Sequence, residues 1–419
     1  MMEKLFLRKN PISSPVPLFS RSPVNAFCRS TGALGRWGTK SCKAITTTLL
    51  LVFLQSLTAY ASPIKDIVSG YYKVLPTFTK SSSTKEDISS VLQRLRLEFK
   101  PQLTKNIKLF VTYDHELLLN DFAQTPDFDL IRQQNQKNLS WWDADQVISD
   151  TNHVYERQLL FRCYLQYESE KSRVAFGKQL IDWGRLRFYS PLDLFNPPLP
   201  SNVEADERVG FDALNIELFG DNFSSINLIY GPGHTSDEDS YGLRLYKKIS
   251  SYDTFFIAAK HLKEKVVGFG FDGYIKKAGF RGEFSYTRVS REHYPRAGLG
   301  LDYSFSAKTS GLIEYFYNGA AINDYAVFST SLSDQRQRLS LKKQLLSLSL
   351  THEITPLFKF KWACIYDIVG KSVFLNPELR YNITANTDAA IGAQFYAKND
   401  NSEFQDSHNL YYAEVKLFF

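Results

Sequence analysis

Apolar and polar residues alternate along much of this chain with a period of two. Ile107, Leu109, Val111 and Tyr113 alternate with Lys108, Phe110, Thr112 and Asp114. Phe280, Gly282, Phe284 and Tyr286 alternate with Arg281, Glu283, Ser285 and Thr287. Phe358, Phe360, Trp362, Cys364 and Tyr366 alternate with Lys359, Lys361 and Asp367. Successive side chains of a strand point to opposite faces, so each run predicts a strand with one greasy face and one charged face. The last nine residues do the same. Tyr411, Ala413, Val415, Leu417 and Phe419 share one face, and Tyr412, Glu414, Lys416 and Phe418 the other.

Two-faced strands suit a wall between lipid and water. Their length fits a tilted membrane strand of roughly 9–11 residues. Beyond the first 61 residues no apolar stretch is long enough for a helical span. A membrane protein of this kind must therefore cross by strands closed into a barrel, because an open edge leaves backbone donors unpaired in lipid. Aromatic residues, 15% of the chain, fit girdles at the two interfaces.

The connections also alternate. Lys100–Asn106, Glu168–Lys171, Gly220–Asn222, Ser250–Tyr252, Lys276–Lys277, Ser306–Lys308, Glu353–Pro356 and Thr384–Asn386 are short. Between them lie mostly longer segments, 80–90, 117–155, 184–208, 232–240, 290–295, 321–335 and 398–408, with two tight ones around Lys263 and Gly370. Short turns at one end and longer loops at the other are the asymmetry of an outer-membrane barrel. The final strand resembles the closing strand of bacterial outer-membrane barrels, whose terminal Phe, here Phe419, is read by the barrel-assembly machinery. If it runs down to the periplasm, the strand total is even. Gly70–Phe78 supplies the first strand, and the chain is expected to be an all-β, antiparallel up-and-down transmembrane barrel of eighteen strands, with sixteen as the alternative. Pro377 falls mid-strand, where it cannot donate to a ladder, and predicts a bulge.

The amino-terminal region is different. Lys40 and Lys43 precede an apolar run, Ala44 to Leu54, and Ala59-Tyr60-Ala61 follows. This reads as a secretory signal peptide with processing near Ala61, leaving 62–419 as a single barrel domain in the bacterial outer membrane. The Ser- and Arg-rich stretch ahead of the run also fits a transit peptide or a misassigned start codon. The short distance from Ala61 to the first clear strand, near residue 90, leaves no plug domain expected ahead of the barrel.

The leader changes the charge argument. The chain holds 50 basic and 44 acidic residues. Residues 1–61 contribute Lys4, Arg8, Lys9, Arg21, Arg29, Arg36, Lys40 and Lys43 against Glu3 alone, so the remainder is close to neutral. That gives no support for a nucleic-acid partner. Cys163 and Cys364 sit at apolar positions facing lipid. No spacing marks a metal site or a cofactor.

The densest motif runs Phe176-Gly177-Lys178-Gln179-Leu180-Ile181-Asp182-Trp183-Gly184-Arg185 and continues through Pro191-Leu192-Asp193-Leu194-Phe195-Asn196-Pro197-Pro198. By parity its second half lies in the third outer loop, about 184–208. In general porins that loop folds inward and narrows the channel. Pro191, Pro197, Pro198 and Pro200 stiffen it. Asp193 and Asn196 can cap local donors. Arg185 and Arg187 place fixed positive charge near the mouth, which concentrates anions.

The motif resembles a family of uncharacterised porin-like outer-membrane proteins, akin to the alginate-export type. Gly177, Lys178, Gln179, Trp183, Gly184, Pro191, Asp193, Leu194, Phe195, Asn196 and Pro197 carry the resemblance. Lys178 stands where that family often has Arg, so bidentate geometry is lost if it touches substrate. An eighteen-strand barrel leaves a water-accessible lumen, and with its inner-face charges this predicts a porin or export channel for a small polar or anionic solute, with an oligosaccharide as one option. Constriction candidates are Arg185, Arg187, Asp193, Asn196, Lys178 and Gln179, with lumen charges Arg162, Arg281, Glu283, Glu378, Arg380, Glu414 and Lys416. Gly177, Trp183, Gly184, Pro191 and Pro197 form the scaffold. The competing reading takes the whole motif as loop-folding, with Trp183 an interfacial anchor.

Two other functions stand beside the channel. An outer-membrane hydrolase would pair Ser with one of His115, His153, His234, His261, His293, His352 or His408. No Gly-x-Ser-x-Gly is present, and Ser347, Ser349 and Thr351 do not share a face with His352. An adhesin or structural barrel would act through 117–155, with Trp141 and Trp142. No catalytic residue is assigned, and a homo-oligomer is left open.

Overall fold

The computed structural model describes residues 67–129, 132, 141–205, 207–321 and 339–419. The expected leader and its cleavage site lie outside them, as does most of 321–335. Among the described residues there are twenty strands. They are β1 Val68–Lys80, β2 Asp87–Phe99, β3 Gln102–Thr104, β4 Ile107–Asn120, β5 Gln146–Asp150, β6 Val154–Glu168, β7 Ser172–Gln179, β8 Phe211–Gly220, β9 Ser224–Gly231 and β10 Ser240–Ile249. The second half holds β11 Tyr252–His261, β12 Glu264–Ile275, β13 Ala278–Val289, β14 Glu292–Ser306, β15 Thr309–Asn318, β16 Gln344–Thr355, β17 Phe358–Asp367, β18 Val373–Thr384, β19 Thr387–Ala397 and β20 Leu410–Phe418.

Eighteen of them form a closed antiparallel ring, each paired with its neighbour in sequence. The short β3 and β5 lie outside that ring, added to β4 and β6. The seam closes where β1 meets β20. Its end is fixed by reciprocal backbone bonds of 3.1 Å between Gly70 and Phe419. A Cβ at Gly70 would collide with the Arg96 carbonyl and press on the Phe419 ring, so the closure needs glycine there. Phe419 therefore occupies the seam itself.

The strand faces follow the alternation. On β13, Phe284 and Tyr286 are exposed outward, whereas Arg281, Glu283, Ser285 and Thr287 are buried on the inner face. On β20, Tyr411 and Val415 are exposed and Tyr412 is buried. Phe269, Phe284, Leu299, Ile313 and Val415 are all exposed on the outer face, an apolar surface suited to lipid. Among the described residues no helix is long and apolar enough to cross a membrane.

The turns and loops segregate to two ends. Segments 100–106, 169–171, 221–223, 250–251, 276–277, 307–308, 356–357 and 385–386 share one end with both termini of the barrel. The connections β1–β2, β4–β6, β7–β8, β9–β10, β11–β12, β13–β14, β15–β16, β17–β18 and β19–β20 leave from the other end. The third of these spans 180–210, a few residues wider at each side than the proline pattern marks.

The ladder is interrupted at Pro377 and in β6, among other places. The expected bulge at Pro377 is absent. Pairing with β17 runs straight through Trp362–Pro377. On the β19 side the ladder lapses over Asn376 and Pro377 and resumes in the same register at Glu378–Gly392. The missing proline donor is thus absorbed as a local opening rather than as an extra residue. A bulge does occur in β6, where Phe161 is skipped between the Thr112–Arg162 and Tyr113–Leu160 pairs. It leaves Phe161 buried, with the Arg96 guanidinium 3.9 Å from its ring centroid. Cys163 and Cys364 are free thiols.

Candidate functional site

The lumen is not an empty tube. Segment 180–210 turns inward after β7 and packs along the inner wall. The turn begins at Gly177, whose φ of 121° is closed to other residues and whose missing Cβ makes room for the Cys163 carbonyl. Gln179 is buried and holds the strand end, with Nε2 donating to the Ala213 carbonyl at 3.0 Å and Oε1 accepting from Asn215 at 3.1 Å. Asn196 staples the two limbs of the loop. Its Oδ1 accepts from Ile181 N at 3.0 Å and its Nδ2 donates to the Val209 carbonyl at 2.6 Å.

Two wall carboxylates hold the loop backbone. Glu283 on β13 accepts from Arg185 N, from Leu186 N at 3.0 Å, from Leu192 N at 3.3 Å and from Ser190 Oγ at 2.7 Å. Glu314 on β15 accepts from Arg187 N and Phe188 N, each at 2.9 Å. Both carboxylates are buried. A loop without regular structure leaves its amides unpaired, and an acceptor-only carboxylate can satisfy several of them at once.

Glycines on the facing wall seat the loop's apolar side chains. Trp183 lies against Gly242 of β10, Leu192 against Gly268 of β12, and Leu186 against Gly298 of β14. A Cβ at any of these would strike the seated side chain. Trp183 is 2% exposed, donates Nε1 to Asn227 at 2.9 Å and meets the Phe195 ring edge-on at 5.2 Å. It is inside the barrel and is not an interfacial anchor. Further along, Phe188 and Tyr189 join a buried cluster with Leu312, Phe316, Leu345, Ile365, Phe374 and Phe404.

The end of the loop is clasped by charge. Glu204 accepts from Lys73 of β1 and from Arg94 of β2, the latter at 2.6 Å. Glu207 accepts from Arg96 at 2.6 Å and from Tyr71 OH at 2.9 Å. Behind them, Arg94 pairs with Glu116 at 2.6 Å and Arg96 with Asp114 at 2.5 Å, directly across the β2–β4 ladder. Arg157 completes the network with Glu116 at 2.7 Å. Burial by itself would raise the Glu207 carboxyl, but Arg96, Arg94 and Lys73 outweigh it and hold it down at about 2. Asp193 moves the other way, pushed well above the usual carboxylate range by burial and the neighbouring Asp182, against the pull of Arg208 at 2.7 Å.

These contacts sort the residues that the sequence marked. Lys178, Gln179, Asp193, Asn196, Arg281 and Glu283 are buried in loop packing and wall networks and do not face open lumen. Lys178 sits opposite Asp212. Arg281 pairs with Asp302. Arg162 is half-buried, its guanidinium 3.5 Å from the Arg208 carbonyl. Glu378, Arg380 and Glu414 form their own inner-wall chain, with contacts of 3.0 and 3.2 Å. Gly184 lies against Ser190, Pro191 is buried and Pro197 is half-buried. Arg187 is exposed and Arg185 half-buried, 5.6 Å above the Phe255 ring. Arg244 of β10 approaches the same ring at 4.7 Å. The site thus presents arginines while its acids are taken up as fasteners.

Arg244, Arg208, Glu204, Glu207 and the β2–β4 network were not singled out by sequence. A signal existed for the network: Arg94 and Arg96, and Asp114 and Glu116, are spaced by two on consecutive strands. Among the described residues no cluster of side chains could hold a metal ion.

No protein-family model matches the chain, and no curated protein resembles it in sequence. Its fold is similar to three solved structures from Pseudomonas aeruginosa. OccK5 (OpdH) has a TM-score of 0.51 at 8% identity, covering 84% of this chain and 98% of that one. OpdQ has 0.51 at 10% identity, with the same coverage of each chain. OccK8 (OprE) has 0.51 at 7% identity, again covering 84% and 98%. The likeness is one of fold: a porin-like barrel of the outer-membrane kind.

Proposed function

We propose that the protein is an outer-membrane channel through which small polar solutes diffuse, with anions favoured. The loop-bearing end faces outward and the short turns face the periplasm. The single observation that supports this reading is segment 180–210. It is bound inside an eighteen-strand ring by Glu283 and Glu314, and it carries Arg185 near Arg244, over the same Phe255 ring, with an exposed Arg187 further along. A loop fastened in this way narrows a wide barrel to a selective opening, and clustered guanidinium groups raise the local concentration of anions. In the proposed life history, the first 61 residues direct secretion, and the barrel-assembly machinery reads the terminal Phe419. Solutes of the size and polarity of short oligosaccharides or carboxylates fit this reading, as does kinship with the alginate-export type.

Planar-bilayer recording tests it. The purified barrel should give ohmic single-channel steps and a reversal potential of anionic sign in a salt gradient. Absence of steps from correctly folded barrels would reject the channel.

A further inference from the structure

Strand registers on the outward face bring six side chains into one row across β9–β14: Tyr230, Tyr241, Lys260, Lys265, Arg288 and His293. Lys260 stands directly opposite Lys265, and Lys265 directly opposite Arg288. Like charges in such positions destabilise a sheet. The acids next to them in sequence do not relieve the repulsion. Glu264 and Glu292 fall on the other face, where Glu264 is 3% exposed and accepts from Tyr294 OH at 2.6 Å. Asp239 accepts from Tyr241 OH at 3.2 Å. Lys260 Nζ is tied to loop carbonyls, those of Asp237 at 2.9 Å and Asp239 at 3.0 Å. Lys265 and Arg288 are exposed and have no ion pair with any described residue.

Two residues further from the loop end, the same registers give an apolar row: Leu228, Leu243, Ala258, Val267, Tyr286 and Pro295. Ala258 is its low point, between Leu243 and Val267. The two rows line one groove of about 790 Å³. Tyr286 stacks on His293 at 6.1 Å and closes one side. A hydrocarbon channel under an unneutralised cationic row is the shape of an amphiphile with acyl chains and an anionic head.

We propose that this groove is a binding site for an acylated, phosphorylated glycolipid of the leaflet at the loop-bearing end. Its phosphates sit on Lys265 and Arg288, and one acyl chain lies over Ala258. Phosphate supplies the counter-charge that the row lacks, and charge-assisted contacts of this kind are among the strongest available at a membrane surface. The assignment rests on the orientation proposed above, which puts the loop-bearing end in the outer leaflet.

Native mass spectrometry of the full barrel in detergent tests the site. The probes are diphosphorylated lipid A, its dephosphorylated form and phosphatidylglycerol. The intact barrel should retain diphosphorylated lipid A in preference to both others. The Lys265→Gln/Arg288→Gln variant should lose that retention roughly tenfold, as expected for removing two charge-assisted contacts. Both positions are exposed and unpaired, so the variant should keep its β-sheet circular dichroism and its conductance. Equal retention by the variant overturns the site. So does equal retention of the dephosphorylated lipid or of phosphatidylglycerol, or a dimer that occupies the groove instead. A barrel that binds lipid A selectively but conducts nothing would sink the channel reading and leave this site standing.

Discussion

Ser190 Oγ donates to Glu283 Oε2 at 2.7 Å, joining residues 93 positions apart in the chain. One belongs to a loop and the other to the wall of β13. Three backbone amides share the same carboxylate, so Glu283 alone meets four donors of the inward loop. Glu283→Ala leaves those donors unmet and should weaken loop docking by about 3 kcal/mol. The expected outcome is larger and noisier single-channel conductance with the barrel intact. Unchanged conductance would show that the loop does not define the opening.

Arg185, half-buried, and Arg187, exposed, are the loop arginines proposed to line the opening. Replacing both with Glu should move the reversal potential in a potassium chloride gradient from the anionic to the cationic side. Their backbone amides still reach Glu283 and Glu314, so the loop position should hold. A preference that stays anionic would place the selectivity elsewhere.

Trp183→Ala should open a cavity against Gly242 and leave Asn227 Oδ1 without its indole donor. Truncating a buried aromatic of this size costs about 3–5 kcal/mol. Protease added to reconstituted barrels should then cut within 180–210, where the parent protein resists. Equal resistance in both would argue that the indole contributes little to docking.

Loop 398–409 should respond to pH. Burial pushes the Glu403 carboxyl up from 4.5 to about 7, although Lys342 N donates to it at 2.7 Å, and Asp367 nearby adds to the rise. A carboxyl raised in the folded state gives stability that is fully present below 4.5 and is lost as pH climbs through about 7. Hydrogen exchange of 398–409 should therefore quicken, beyond its intrinsic pH dependence, between pH 4.5 and 8. Glu403→Gln should flatten that trend. A profile that Glu403→Gln leaves unaltered would remove Glu403 as the cause.

The architecture was legible because period-two alternation and turn length are local properties. β13 and β20 could be assigned face by face, and the position of the third loop followed from strand parity. The site was less legible. Arg281 and Glu283 were correctly placed on the inner face, yet alternation carries no information about what fills the lumen opposite them. Glu283 reads as a pore charge until Ser190 is seen against it. Trp183 reads as a membrane anchor until Gly242 is seen beneath it. Both meanings depend on contacts between residues far apart in sequence. The same limit applies to Pro377: its missing donor was foreseeable, but the strand's way of absorbing it was not.

The loop also acts on the barrel's closure. Its Ser201 carbonyl accepts from Gln394 on β19 at 3.0 Å, Glu207 approaches Lys416 on β20 at 4.0 Å, and Glu204 and Glu207 reach β1 and β2. These strands lie on the two sides of the junction where the first and last strands meet. The segment is therefore an internal strap across the place where a cylinder rolled from one sheet is most apt to unzip. The anchorages on the two sides of that junction come together only when the ring is complete, so the segment that narrows the passage also locks the cylinder.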